Sequence, residues 1–214
     1  MDKTVCILQG GWEGHEPEAS VNRFRPFLEA NEYTMTIVDD LAALDTLDLP
    51  AFDLVLPCWT MGNLSESQEE KLCQAIQRGT GLAGWHGGMG DAFRNNTQYQ
   101  WMVGGQFVAH PGNCMDYTVQ IARPDDPVMA GLSDFPVHSE QYYMHVDPSN
   151  EVLATTTFDG THAQWTKGCV MPTVWKRYFG TGKVFYSAFG HVASEFDHPT
   201  VRTIMERGIL WATR

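Results

Sequence analysis

At 214 residues the chain is long enough to bury a sizeable core in one large domain or two small ones, and its 43% apolar and 19% charged residues argue against disorder. A formal net charge of −12, with only 14 basic residues scattered along the chain, disfavours nucleic acid and anionic membranes as partners. The start, Met1-Asp2-Lys3, has no basic segment ahead of a long apolar one, and no window nears the roughly 18 apolar residues of a membrane span. Five cysteines (Cys6, Cys58, Cys73, Cys114, Cys169) without a C-x-x-C pair fit a reducing compartment, so the expected location is cytoplasmic.

In chain order, Thr4–Gln9 reads as a buried first strand, followed by a loop with Gly10, Gly11 and Gly14. Pro17 suits the first turn of a helix to about Asn31, with Val21, Phe24, Phe27 and Leu28 on its apolar face. Thr34–Val38 and Asp53–Pro57 read as the next strands. "DDLAALDTLDLP" between them is either a short helix or a turn-rich connection. Ser65–Arg78 reads as a helix with Ser65 as N-cap, Leu72, Ala75 and Ile76 on one face, and Gly79 and Gly81 at its end. Residues 81–85 form the fourth strand. Strands alternating with helices predict parallel β-α-β units, hence a doubly wound α/β sheet.

Beyond about residue 104 the texture is β-rich: "YTVQIA", "FPVHSEQYY", "EVLATTTF", "VMPTVWKRY" and "KVFYSAF", with a hairpin at Tyr178–Gly182. A closing helix over His198–Ala212 carries Val201, Ile204, Met205, Ile209 and Leu210. With no linker and no repeat, residues 1–214 read as one domain with a β-rich insertion.

Ligands of an open parallel sheet sit outside the carboxyl ends of its strands. Three histidines fall there: His15 after the first strand, His86 after the fourth, and His191 after "KVFYSAF", provided that this late strand runs parallel to the core. Gly84-Trp85-His86-Gly87-Gly88 has the shape of a nucleophile elbow, G-x-S-x-G, with histidine in the nucleophile's seat and Trp85 as core. In "PVHSEQYYMHVDP", strand spacing puts His138, Glu140 and Tyr142 on one face, as a structural network, a polar-ligand site or part of a metal site. His110 is a further loop histidine, and Trp12, Trp101 and Tyr142 could stack on sugar faces. Cys58 lacks an evident partner, and neither a Walker A motif nor G-x-G-x-x-G after the first strand is present, so no nucleotide cofactor is expected. The chemistry that remains is acid–base or metal chemistry by histidines and a carboxylate.

"GLAGWHGG", "FVAHPG", "HSEQYY" and "WKRYFGTGKVFYSAFGH" followed by a closing helix resemble, over nearly the whole chain and in order, the ThuA-like family of trehalose-utilisation proteins. The resemblance implies a flavodoxin-like fold similar to class I glutamine amidotransferases, with His86 where those relatives hold their elbow cysteine and His191 where their catalytic histidine lies. Glutamine hydrolysis is therefore not expected. The resemblance further implies catabolism of trehalose-type disaccharides or their 3-keto derivatives, functionally coupled to a sugar 3-oxidoreductase. On that reading His86 or Glu140 takes a proton and His191 gives one, with His15, Trp12, His110, His138 and Tyr142 binding substrate. A divalent metal, zinc or manganese, is the one cofactor considered, with His86, Glu140 and His191 as its ligands. The alternatives are a sugar-binding or scaffold protein without turnover, a metal-dependent hydrolase of unoxidised substrates, and a degenerate amidotransferase. A homodimer paired at an exposed strand edge is the expected assembly.

Overall fold

A computed structural model describes residues 3–214; Met1 and Asp2, read as the lead-in to the first strand, lie outside the described residues. The first half alternates as its periodicity predicts. It runs β1 (Lys3–Gly11), α1 (Pro17–Ala30), β2 (Tyr33–Val38), β3 (Leu54–Thr60), α2 (Glu66–Gln77) and β4 (Gly81–Trp85). The ambiguous segment after β2 resolves into two 3₁₀ turns, Leu41–Asp45 and Leu49–Ala51, which makes it a turn-rich connection. The second half follows as α3 (His86–Gly90), α4 (Thr97–Val103), β5 (Gly105–Ala109), β6 (Cys114–Ile121), β7 (Phe135–Glu140), β8 (Tyr143–Val146), β9 (Glu151–Thr157), β10 (Val170–Phe179), β11 (Gly182–Ser187) and α5 (Pro199–Ala212).

A nine-stranded sheet runs β2-β1-β3-β4-β11-β10-β9-β6-β7, and β5 with β8 makes a separate two-stranded ribbon. Strands β1 to β4 pair in parallel, and β11 joins them parallel to β4, with Ser187 opposite Trp85. Strands β10, β9, β6 and β7 continue the sheet antiparallel. The segment from β5 to β10 is thus inserted between the adjacent core strands β4 and β11, as its texture suggests, and four of its strands, β10, β9, β6 and β7, extend the same sheet. Strand patterning identifies strands but leaves their partners open. The β9–β10 register shifts around Pro172, whose ring removes a ladder donor.

Alternation along β1 explains why helices cover both faces. Val5 and Ile7 pack with Val21, Phe24 and Leu28 of α1 and with Val201, Ile204, Met205 and Ile209 of α5. Cys6 and Leu8 pack on the other side with Leu72, Ala75 and Ile76 of α2 and with Tyr99 and Met102 of α4. A strand buried on both faces reads as a continuous apolar run, which is how "TVCILQ" reads. Helix α2 starts with a capping box: the Gln68 backbone N–H donates to Ser65 Oγ at 3.2 Å, and the Ser65 N–H to Gln68 Oε1 at 3.0 Å. Helix α5 differs from its expected face at Leu210, which is 41% exposed. Gly208 takes the inward place instead, where a Cβ would come within 2.1 Å of the Phe185 ring. No helix among the described residues is long and apolar enough to cross a membrane.

Candidate functional site

The carboxyl ends of β1, β3, β4 and β11 lie along one edge of the parallel half, so the segments leaving them meet. The turn after β1 places His15, the turn after β11 places His191, and β4 passes directly into His86. His86 holds φ at +43°, a left-handed conformation that is costly for a residue with a Cβ. Trp85 before it is buried against Phe24 and Phe196, so the strand end is anchored from below. The glycines after it permit close approach: a Cβ on Gly87 would come within 2.5 Å of the His15 ring, and one on Gly90 within 2.5 Å of the Tyr186 hydroxyl.

Glu140 ends β7, the last strand of the sheet, and comes back to this edge. His15, His86, Glu140 and His191 each offer a ligand atom, all within 4.8 Å of one another. His86 Nδ1 lies 2.8 Å from the Ala188 carbonyl, which can only accept, so Nδ1 carries the hydrogen. Its Nε2 faces Glu140 Oε2 at 3.1 Å, an arrangement that requires a proton or a cation between the two atoms. His191 Nδ1 lies 3.4 Å from the same Oε2, buried and without an aligned hydrogen bond. His15 Nδ1 lies 2.8 Å from Thr60 Oγ1.

Electrostatics follow from this crowding. Burial, then the neighbouring His86 and His191, pushes His15 down to about 3. Burial works against ionisation of Glu140, yet His191 and His86 outweigh it and hold the carboxyl well below the usual range. The Glu140 carboxylate in turn raises His191 against the cost of burial. The His191 turn is clamped by carboxylates: Glu195 Oε2 accepts the Gly190 and His191 N–H groups at 2.7 and 3.2 Å, and Glu16 Oε2 accepts the Ala193 N–H at 3.0 Å. Because Glu16 directly follows His15, it ties the two histidine turns together.

The cluster borders a cavity of about 350 Å³. Trp12, Tyr142 and Phe107 supply aromatic walls, and His110 stands at the open side with Nε2 3.5 Å from Glu140 Oε1. Tyr142 stacks on His86 at 4.0 Å between ring centroids. Of the expected residues, His15, His86, Glu140 and His191 meet, and Trp12, His110 and Tyr142 line the same cavity.

His138 does not join them. It is exposed and pairs with Asp116 at 2.8 Å, because the β7 face that is covered at Glu140 is open two residues earlier. The shared face expected for His138, Glu140 and Tyr142 also breaks, since β7 stops at Glu140 and Tyr142 lies between strands. Trp101 lies in a different groove with Gln106 and His145. Cys58 is buried and its thiol is pushed up to about 12 by that burial, which disarms it as a nucleophile.

Sequence reasoning missed Thr60, Asp91, Arg94 and Asn113, all of which line the cavity. Thr60 was within reach, since it sits at the carboxyl end of β3 by the same rule that found the histidines. Asp91 and Arg94 follow the elbow at a spacing of three, a pattern too common to stand out.

The donor set fits a metal. Three imidazoles and one carboxylate suit a borderline divalent cation such as zinc or manganese, and without one a proton on His86 Nε2 or Glu140 Oε2 joins the two atoms in a hydrogen bond.

A family model described as trehalose utilisation, ThuA, matches residues 4–212. A ThuA-like protein from Parabacteroides merdae superposes with a TM-score of 0.80 at 16% identity, covering 99% of this chain and 90% of that one. A ThuA-like protein from Bacteroides uniformis gives 0.78 at 16% identity, covering 97% and 89%. A β-galactosidase from Bacillus circulans sp. alkalophilus gives 0.57 at 17% identity, with 96% of this chain on 31% of that one. At such identities the likeness is one of fold, here a mixed α/β fold around a large sheet. Comparison with curated proteins returns no match.

Proposed function

This chain belongs to the ThuA, trehalose utilisation, family, and from that premise we propose that it is an enzyme of carbohydrate catabolism acting on trehalose-type disaccharides or their 3-keto derivatives. The observation that carries the reading is the convergence of His15, His86, Glu140 and His191 beside a cavity of disaccharide scale with aromatic and polar walls. The parallel order β2-β1-β3-β4-β11 supports a flavodoxin-like, amidotransferase-like core whose elbow carries a ligand in place of a nucleophile.

The four residues of the cluster would hold a divalent cation, zinc or manganese, which when bound would polarise a substrate oxygen such as the 3-keto group. His86 is fully buried and reaches substrate poorly, so its part is to bind and to fix Glu140. Proton movement belongs at the open side, where Glu140 Oε1 and His110 face the cavity. A 3-keto group acidifies the C2–H bond. Glu140 or His110 takes that proton, the C–H electrons form the enolate, and the enolate expels the glycosidic oxygen from C1. In the metal-free scheme His191, partly exposed and paired with Glu140, protonates the departing oxygen; with the cluster holding a cation, that part falls to His110 at the open side.

A substrate of this kind must come from a sugar 3-oxidoreductase, the functional partner this reading requires. Five free cysteines support a reducing, cytoplasmic setting. β7, paired on one side only, supplies the edge at which two chains would form a homodimer.

The test is direct incubation of 3-keto-trehalose with the wild-type protein and with Glu140→Ala, followed by NMR. The expected result is consumption by the wild type and a loss of about 10²-fold or more in the variant. Equal turnover by both, or none by the wild type, contradicts the reading.

A further inference from the structure

Apart from the histidine–carboxylate cluster, the cavity carries one further charged pair, Asp91 with Arg94. Asp91 caps the end of α3 and is 3% exposed, whereas the Arg94 side chain is half exposed. The two form a fork: Arg94 Nε and Nη2 donate to the two Asp91 carboxylate oxygens at 2.6 and 2.7 Å. Gln106 Nε2 donates to the same carboxylate at 3.3 Å, and the Asp91 carbonyl accepts the Met61 N–H at 3.0 Å. The guanidinium lies over the Phe107 ring at 5.7 Å. A buried carboxylate, held by Gln106 and by a backbone pinned to Met61, thus sets the plane of the arginine.

Structural pairing alone accounts for Nε and one Nη2 hydrogen. The Nη1 group and the second Nη2 hydrogen make no further hydrogen bond among the described residues, and the residue lines the cavity. Neighbouring donors in one plane match adjacent hydroxyl oxygens of a pyranose, with the Thr60 hydroxyl and Asn113 amide lining the same cavity. The charge balance narrows the ligand further. Arg94 is already neutralised by Asp91, so this pair brings little net charge to the cavity whatever cation the histidine–carboxylate cluster holds, and the chain carries −12 overall. The fork therefore offers direction to neutral oxygens and little net attraction for a dianion.

We propose that Arg94 is the specificity-determining residue of this cavity, holding the hydroxyls of the sugar ring that is not converted, and that the substrate is an unphosphorylated disaccharide. This rests on the sugar reading above and adds to it the charge state of the substrate and the residue that selects its second ring.

Calorimetric titration of the full-length protein with trehalose, glucose and trehalose 6-phosphate tests it, in the wild type, Arg94→Met and Arg94→Lys. Trehalose is expected to bind the wild type at least about 10-fold more tightly than its 6-phosphate. Both variants should lose trehalose affinity by about 10-fold or more, while glucose affinity moves less than about 3-fold, since only the second ring of the disaccharide would lose its matched donors. Lysine keeps the charge but cannot form the fork, so a loss in Arg94→Lys separates geometry from charge. Metal content equal to wild type verifies that each variant is folded around an intact cluster.

Tighter binding of the 6-phosphate, no trehalose binding by the wild type, or unchanged trehalose affinity in both variants overturns the proposal. Wild-type turnover of 3-keto-trehalose alongside an unchanged trehalose-to-glucose ratio in Arg94→Met would sink the Arg94 role alone. Absence of that turnover would sink the enzymatic reading itself.

Discussion

The two halves of the sheet divide the labour of the site. The parallel half, β1 to β4 with β11, delivers His15, His86 and His191 from the carboxyl ends of strands buried on both faces. The antiparallel half delivers Glu140 at the end of an edge strand, and the segment between its strands and the β5–β8 ribbon delivers His110 and Tyr142. The histidines are therefore set by the rigid core, whereas the carboxylate and aromatic walls depend on strand ends and turns. Substitutions in the two halves should fail differently, by unfolding in the first and by loss of the site in the second.

The largest effect is expected beneath the elbow. Trp85→Ala removes a fully buried indole that packs on Phe24 and Phe196, at a cost of about 3–5 kcal/mol in denaturant unfolding. A loss below about 1 kcal/mol would show that the elbow does not rest on that anchor. Next comes Glu195, whose carboxylate receives the Gly190 and His191 N–H groups. Glu195→Ala should weaken metal retention by about 10- to 100-fold with little change in unfolding, and Glu195→Gln, which keeps an acceptor oxygen, should recover part of the loss. Equal loss in both variants would assign the effect to charge.

Acid titration compares the halves within the site. The folded His15 stays neutral down to about 3, whereas the unfolded residue protonates near 6.5. The unfolded state thus binds the extra proton between these values, and the metal-free protein loses stability as pH falls through that window. Below the ordinary carboxyl range the depressed Glu140 adds a loss of the same sign, while the raised His191 contributes oppositely, gaining its proton first in the folded state. His15→Gln should flatten the slope of stability between pH 6 and 4, by at most a few kcal/mol across the window. An unchanged slope would remove His15 from the buried set. Ser65→Ala should cost about 1 kcal/mol through the lost α2 cap, without touching activity. The smallest effect belongs to His138→Ala, which should leave stability within about 0.5 kcal/mol and activity unaltered, since its exposed pair with Asp116 stands outside the site.

The same division explains what the sequence revealed. In the parallel half apolar runs mark strands, and the rule that ligands gather at their carboxyl ends selects His15 and His86 directly, and His191 once its strand runs parallel to the core, as β11 does. In the antiparallel half, period-two alternation predicts a common face for His138, Glu140 and Tyr142. It does not see that β7 stops at Glu140, nor that cover over that face is local. Leu210 fails similarly, because helical spacing admits it to a face whose width is decided by packing of Gly208 on Phe185. Asp91 and Arg94 were hidden for another reason: an acid–base pair three residues apart is a common local pattern, and only its place on the cavity wall marks this one.

Metal content of the purified protein, measured by elemental analysis without chelators in the wild type and in His86→Ala and Glu140→Ala, tests the cluster most directly. About one zinc or manganese ion per chain in the wild type, with loss in both variants while His138→Ala retains it, is the predicted result. A wild type free of bound metal, or variants that keep it in full, would contradict a metal site built by the two halves of the sheet.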